Sequence, residues 1–150
     1  MDNILDDKDL KIIEILKENA DLTTRQISKK TLIPQTTIHN RIKRLKELGI
    51  IRRFTLELDN AKIGKPFVAY VLFNVNLRVL KEKSRTQYDL ANELRRFDFV
   101  ERVDIVSGGT DLVAIVRVKD VAEFDKVLLG KLQVLEGVDN TQSLIVLHEG

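Results

Sequence analysis

Gln35, Thr36, Thr37 and Asn40 lie within six residues of one another, and Arg41, Lys43 and Arg44 follow at once. Asn and Gln side chains can pair in two-point fashion with adenine, and Thr can bond a base edge or touch a thymine methyl. Cationic side chains beside them meet phosphate oxygens, which position a reader on the duplex without carrying sequence information. The chemistry this pattern suits is recognition of double-stranded DNA, provided the residues share one exposed face.

The surrounding stretch supplies such a face. Pro34 can open a helix, where its missing N–H and fixed φ cost nothing. Ile38, Ile42, Leu45 and Leu48 recur at i, i+4, i+7 and i+10, a lean apolar stripe. With Ile38 turned inward, the helical step puts Thr36, Asn40, Lys43 and Arg44 on the far side, and Gln35 and Thr37 in the exposed first turn. His39 falls on the flank and reads as a surface or DNA-backbone residue. Arg41 has two readings of equal weight: a phosphate contact, or a partner for an acid of the first helix. Against all this stands the plain alternative that the helix exposes arbitrary polar residues.

Two helix starts precede it. In LDDKDL, Asp6 is the expected N-cap, with Leu5 and Leu10 at the staple positions. Leu10, Ile13 and Leu16 mark the expected inner face, to about Asn19. In LTTRQI, Thr23 and Gln26 have capping-box spacing, and the helix must be short because Pro34 follows. Thr24 and Arg25, in its first turn, join the candidate DNA contacts. Gly49 supplies a stop, and Ile50 to Leu56 reads as a strand. Helix, short helix, turn, helix, strand is the order of a winged helix-turn-helix.

Charge separates the chain into two parts. Residues 22–53 hold nine basic residues against the single acid Glu47, whereas residues 54–150 hold 13 basic and 15 acidic. Such asymmetry suggests a polyanion-binding part joined to one with another job. The 150 residues suit one ordinary domain or two small ones. No cysteine is present, which excludes disulfides, thiolate nucleophiles and cysteine-bound zinc. His39 and His148 are the only histidines, and no paired carboxylates or phosphate-cradling loop stand out, so neither an enzyme nor a cofactor or metal is expected. No apolar run reaches membrane length and the acidic first residues do not read as a targeting peptide; the expectation is a cytoplasmic protein without a membrane partner.

Beyond the Gly64-Lys65-Pro66 punctuation, strands are expected at 67–75, 100–106, 112–118 and 138–147. Leu90, Leu94 and Phe97 space one helix, and Asp120 with Glu123 can cap another that carries Phe124, Val127 and Leu128 inward. The order is βαββαβ, a ferredoxin-like unit, so the fold class is α+β. Both helices of such a unit cover one face of the sheet, yet the first and last strands are apolar on both sides. A second copy of the chain is the simplest cover for the other face, with a twofold dimer as the result; coverage by the DNA-binding part is the alternative.

Together the stretches LDDKD, TIHNRIKRL with GII, GGTDL and VDNTQSLIVL resemble the Lrp/AsnC (feast/famine) family of bacterial and archaeal transcription regulators, an archaeal member being expected. The resemblance implies a winged helix-turn-helix over 1–53, a β-strand linker over 54–66 and an effector-sensing, dimerising αβ sandwich over 67–150. It also implies homodimers that assemble into tetramers or octamers, a twofold operator, an amino-acid effector and contact with the transcription machinery. Carried over, the effector residues are Gly108, Gly109, Asp111, Thr141 and Ser143. Gly109 and Thr110 stand where many members have an acidic-aromatic pair, Ser143 replaces a threonine, and Leu32 occupies a turn position more often glycine. The function expected is that of a sequence-specific DNA-binding regulator, activator or repressor. The alternatives are an architectural DNA binder or a small-molecule sensor without a specific operator.

Overall fold

The computed structural model describes residues 4–150, which form two compact units divided between Glu57 and Leu58. In the first unit, α1 spans Asp7–Glu18, α2 Thr24–Thr31 and α3 Gln35–Glu47. Both expected capping boxes are present: Asp6 and Asp9 exchange backbone-to-carboxylate hydrogen bonds, and Thr23 and Gln26 do the same. Ile12, Ile27, Ile33 and Ile38 form the core, flanked by Ile15, Leu16, Leu22 and Ile42.

The inner face of α1 is turned from the expected one. Asp9 and Ile12 are fully buried, while Leu10 is 46% exposed and so is no closed end of a staple. Asp9, Ile12 and Leu16 follow at i, i+3 and i+7, and the carboxylate of Asp9 is drawn inward by arginines of α3. Hydrophobic spacing alone carried no sign of that pull.

The turn between α2 and α3 is built from backbone and one hydroxyl. Leu32 takes a left-handed conformation at φ +60°, and its side chain is 91% exposed. The buried Thr31 hydroxyl donates to the Ile27 carbonyl at 2.8 Å and accepts from the Ile33 N–H at 3.2 Å. Pro34 is the cap residue just before α3, and its carbonyl accepts the first helical bond from Ile38. Gly49, at φ +70°, ends α3, and the Ile50 N–H closes back on the Leu45 carbonyl.

The strand expected at Ile50–Leu56, and with it the strand character of the 54–66 linker, is absent from the described chain. Residues 52–59 have no ladder partner, and 60–64 turn back through Lys65 N–H to Asn60 carbonyl and Gly64 N–H to Ala61 carbonyl bonds. A strand requires a neighbour for its backbone groups, and a single chain offers this segment none.

The second unit runs β1 (Phe67–Val75), α4 (Leu77–Glu82), α5 (Gln87–Leu94), β2 (Val100–Ile105), β3 (Leu112–Val118), α6 (Val121–Val127) and β4 (Val138–Ile145). The sheet is antiparallel in the order β2-β3-β1-β4, the ferredoxin-like arrangement. The first crossover holds two short helices rather than one, because Asn76 caps α4 through the Val79 N–H and Thr86 restarts the chain as α5. α6 widens into a π-helical turn over Leu128–Leu132, closed by the Gln133 N–H on the Leu128 carbonyl.

Ala69, Val71 and Phe73 of β1 are fully buried in a core with Leu90, Leu94, Leu112, Phe124 and Leu132. The other side of the same strand carries Val68, Tyr70 and Leu72. Tyr70 is 41% exposed, and its cross-strand partner Leu144 is 44% exposed. The face that the sequence left unassigned is therefore the Tyr70 face. Gly137 sits where a side chain cannot: at φ +97°, an added Cβ would lie 2.3 Å from Leu80 Cδ2.

Candidate nucleic-acid interface and effector site

α3 presents Gln35, Thr36, His39, Asn40 and Lys43 to solvent, with Thr37 partly exposed. No side chain caps its first turn, so the N–H groups there retain their hydrogen-bonding capacity. On α2, Arg25 is exposed and Thr24 half-buried. The residues expected to read bases thus share one accessible stretch of surface.

Two of the expected phosphate contacts are already engaged within the unit. Arg41 donates from Nη1 to Asp6 at 2.5 Å and to Asp9 at 3.2 Å. Arg44 donates to Asp9 at 3.2 Å and to the Ile4 carbonyl at 2.8 Å. Of the two readings open for Arg41, pairing with acids of the first helix is the one seen. The Asp9 carboxylate beneath them is 1% exposed. Bonds from the Asp9 N–H and the Arg41 guanidinium hold the Asp6 carboxyl below the ordinary aspartate range. Lys43 lies at only 4.0 Å from Glu47, with both side chains largely exposed. Arg25, Lys29, Lys30, Arg52 and Arg53 are exposed and have no ion-pair partner among the described residues. The charge available to a polyanion therefore sits on α2 and the segment after α3 as much as on α3. Lys46 lies over the Phe54 ring at 4.8 Å, a contact the sequence reading missed.

In the second unit, the expected effector residues fall into two groups near one end of β1. Asp111 follows the exposed turn of Gly108 (φ +127°) and Gly109. Its carboxylate accepts from the Val75 N–H at 2.9 Å and from Gln87 Nε2 at 3.4 Å, and its own N–H donates to the Phe73 carbonyl. Asp111 thereby ties the hairpin turn to β1 and α5. Thr141 and Ser143 lie opposite Phe73 and Val71, on the helix-covered side of β4. Gln133, unremarked in the sequence, donates to the Thr141 hydroxyl at 2.8 Å. Only the register of β4 on β1 brings it there. A separate cleft of about 490 Å³ is lined by Leu77, Leu80, Lys81, Ser84, Arg85 and neighbours, including Gln87, which also bonds Asp111.

Comparison with known proteins agrees with both halves. Residues 5–52 match the model of winged helix-turn-helix DNA-binding domains, and residues 72–149 that of Lrp/AsnC ligand-binding domains. An uncharacterised HTH-type transcriptional regulator of Pyrococcus horikoshii is 35% identical over 145 residues, covering 97% of this chain and 94% of that protein. A proline dehydrogenase transcriptional activator of Rhizobium radiobacter is 32% identical over 144 residues, covering 96% and 90%. Among solved structures, a Neisseria meningitidis transcriptional regulator in complex with L-Met superposes with a TM-score of 0.87 at 26% identity, covering 97% of this chain and 91% of that one. With matches running through both halves and relatives aligned nearly end to end, the chain belongs to the Lrp/AsnC family of transcriptional regulators.

Proposed function

We propose that the protein reads a twofold DNA operator as a dimer, with α3 in the major groove of each half-site and the second unit responding to an amino acid or a related small molecule. The observation that carries the reading is the exposed row of Gln35, Thr36 and Asn40 on the second helix of a helix-turn-helix, in a unit whose Arg25, Lys29, Lys30, Arg52 and Arg53 have no ion-pair partner among the described residues. Asn40 and Gln35 read base edges, with Thr36 and Thr37 beside them. Thr24, Arg25 and Lys43 contact phosphate. Two copies place their α3 helices at half-sites about 34 Å apart.

The dimer reading rests on the sheet face of Tyr70, Leu72 and Leu144, which no helix of the second unit covers. Higher assembly into tetramers or octamers and contact with the transcription machinery follow the family. An amino acid is the favoured effector class because the Neisseria relative is described in complex with L-Met. Gly108, Gly109, Asp111, Thr141 and Ser143 are the residues assigned to it, with no catalytic step. The protein acts in the cytoplasm, where its DNA is; no described helix is long and apolar enough to cross a membrane.

Selection of duplexes from a random pool, with and without each amino acid, tests the reading. A recurring palindromic sequence whose occupancy changes with one amino acid is the expected result. Recovery of unrelated duplexes would reject sequence readout. A melting temperature unmoved by all twenty amino acids would reject the effector.

A further inference from the structure

The buried carboxylate of Asp9 joins the first helix of the DNA-binding unit to its third. Its Oδ1 takes Arg41 and its Oδ2 takes Arg44, while Asp6 takes the same Nη1 of Arg41. Two acids face two guanidinium groups, so the cluster is neutral. Arg41 follows Thr37 by four residues and Arg44 follows Asn40 by four. On a helix those spacings place each arginine one turn above a proposed base reader, on the same side. A rotation of α3 that shifted the arginines would shift the readers with them.

We propose that Asp9 is a positioning residue for sequence readout: through Arg41 and Arg44 it fixes the rotation of α3 and withholds two cations from the DNA backbone. This rests on the DNA-reading function proposed above. The physical argument turns on what each free arginine would do. A guanidinium released from its carboxylate adds a phosphate contact, which binds every sequence alike and steepens the dependence on salt. Holding both arginines inside keeps the sequence-independent affinity low while leaving Asn40 and Thr37 accessible. The side chains of Arg41 and Arg44 are 27% and 43% exposed, close enough to solvent for release to matter.

The test uses the full chain, a selected operator duplex and a scrambled duplex of the same length, titrated over a range of salt concentrations. Asp9→Asn should bind the scrambled duplex more tightly than the wild type does. Its log–log salt slope should be steeper by about 0.9 for each new phosphate contact, and its preference for the operator should fall by roughly tenfold. Asp6→Asn, which takes one of Arg41's two carboxylates away and leaves Arg44 held, should move the slope the same way by less. Adding Arg41→Gln and Arg44→Gln to Asp9→Asn should return the slope to the wild-type value without restoring preference. Ile12→Val, on the same helix and without charge, should lower the melting temperature and leave slope and preference unchanged.

A folded Asp9→Asn protein that weakens on both duplexes in parallel, with an unaltered slope, would overturn the proposal by showing a merely structural role. If Asp9→Asn does not fold, Arg44→Gln decides: its guanidinium is held on Asp9 and withheld from DNA, so a slope shallower by about 0.9 in that variant overturns the proposal. A wild type that does not distinguish the two duplexes would instead remove the DNA-reading function, and that measurement precedes any variant.

Discussion

Among the described residues each unit buries one charge, and the two are mirror images. Asp9 in the first unit is an acid between two arginines, and Arg117 in the second is an arginine between two acids, Glu101 and Glu149. The partners differ in origin. Those of Asp9 come from the proposed recognition helix, whereas those of Arg117 come from the neighbouring strand and the chain's last residues. Glu149 and Glu101 hold the guanidinium in its charged form, and Arg117 in turn keeps the Glu149 carboxyl below its usual range. The surroundings differ as well. The first unit has four buried isoleucines and leans on caps and ion pairs to orient its helices. The second packs a sheet against helices through a much larger apolar core. A small core makes polar devices decisive, and a large one makes volume decisive.

The largest test of that contrast lies on β1. Val71→Asp buries a charge in the helix-covered core and should cost about 4 kcal/mol or more, unfolding the second unit. Tyr70→Asp, one residue away on the uncovered face, should leave the fold intact and dissociate the proposed dimer. Denaturant titration with sedimentation of both variants checks this; a folded, dimeric Tyr70→Asp protein would remove that face from the interface. Gly137→Ala combines a positive φ with a clash at Leu80 and should cost about 2–3 kcal/mol, read as a lower denaturation midpoint.

In the first unit the expected effects are smaller. Leu32→Gly relieves a left-handed leucine whose side chain is almost wholly exposed. Set against the entropy of an added glycine, the net gain should be about 0.5–1 kcal/mol. A lowered melting point would mean that Leu32 makes a contact absent from this chain alone. Smallest and most gradual is the response to acid. The folded carboxyls of Asp6, Asp89 and Glu149 titrate below their unfolded values, since bonds from backbone, hydroxyl or guanidinium favour the charged forms. Their contribution is present in full above pH of about 4 and is lost as pH falls through the depressed values. Thermal melts at stepped pH should show stability falling on acidification in that range, and a rise there would contradict the ion-pair assignments.

Caps, the limits of β1 and β3 and the βαββαβ order were legible in the sequence because they follow from local chemistry: Thr23 with Gln26, Asp120 with its helix, Gly49 as a stop. The exposure of Gln35, Thr36 and Asn40 along one row was legible for the same reason, since one helix fixes their relation. What could not be read depends on partners distant in the chain. Asp9 meets Arg41 across 32 residues, Asp111 meets Val75 across 36, and Gln133 reaches Thr141 only through the register of β4. The strand expected after Ile50 failed for a related reason. Its alternating pattern describes a segment ready to pair but cannot supply the partner.

The π-helical turn at Leu128–Leu132 has a bearing on aim. A wide turn of this kind carries the residues beyond it one position further round than an α-helix would. Gln133, the residue that closes the turn, is also the one that reaches Thr141. An ordinary α-helical register would swing its amide by about 100°, away from the strand. A single surplus residue thus works as an adjusting screw: it sets which side chain overlooks β4 while the helices and strands on either side keep their places.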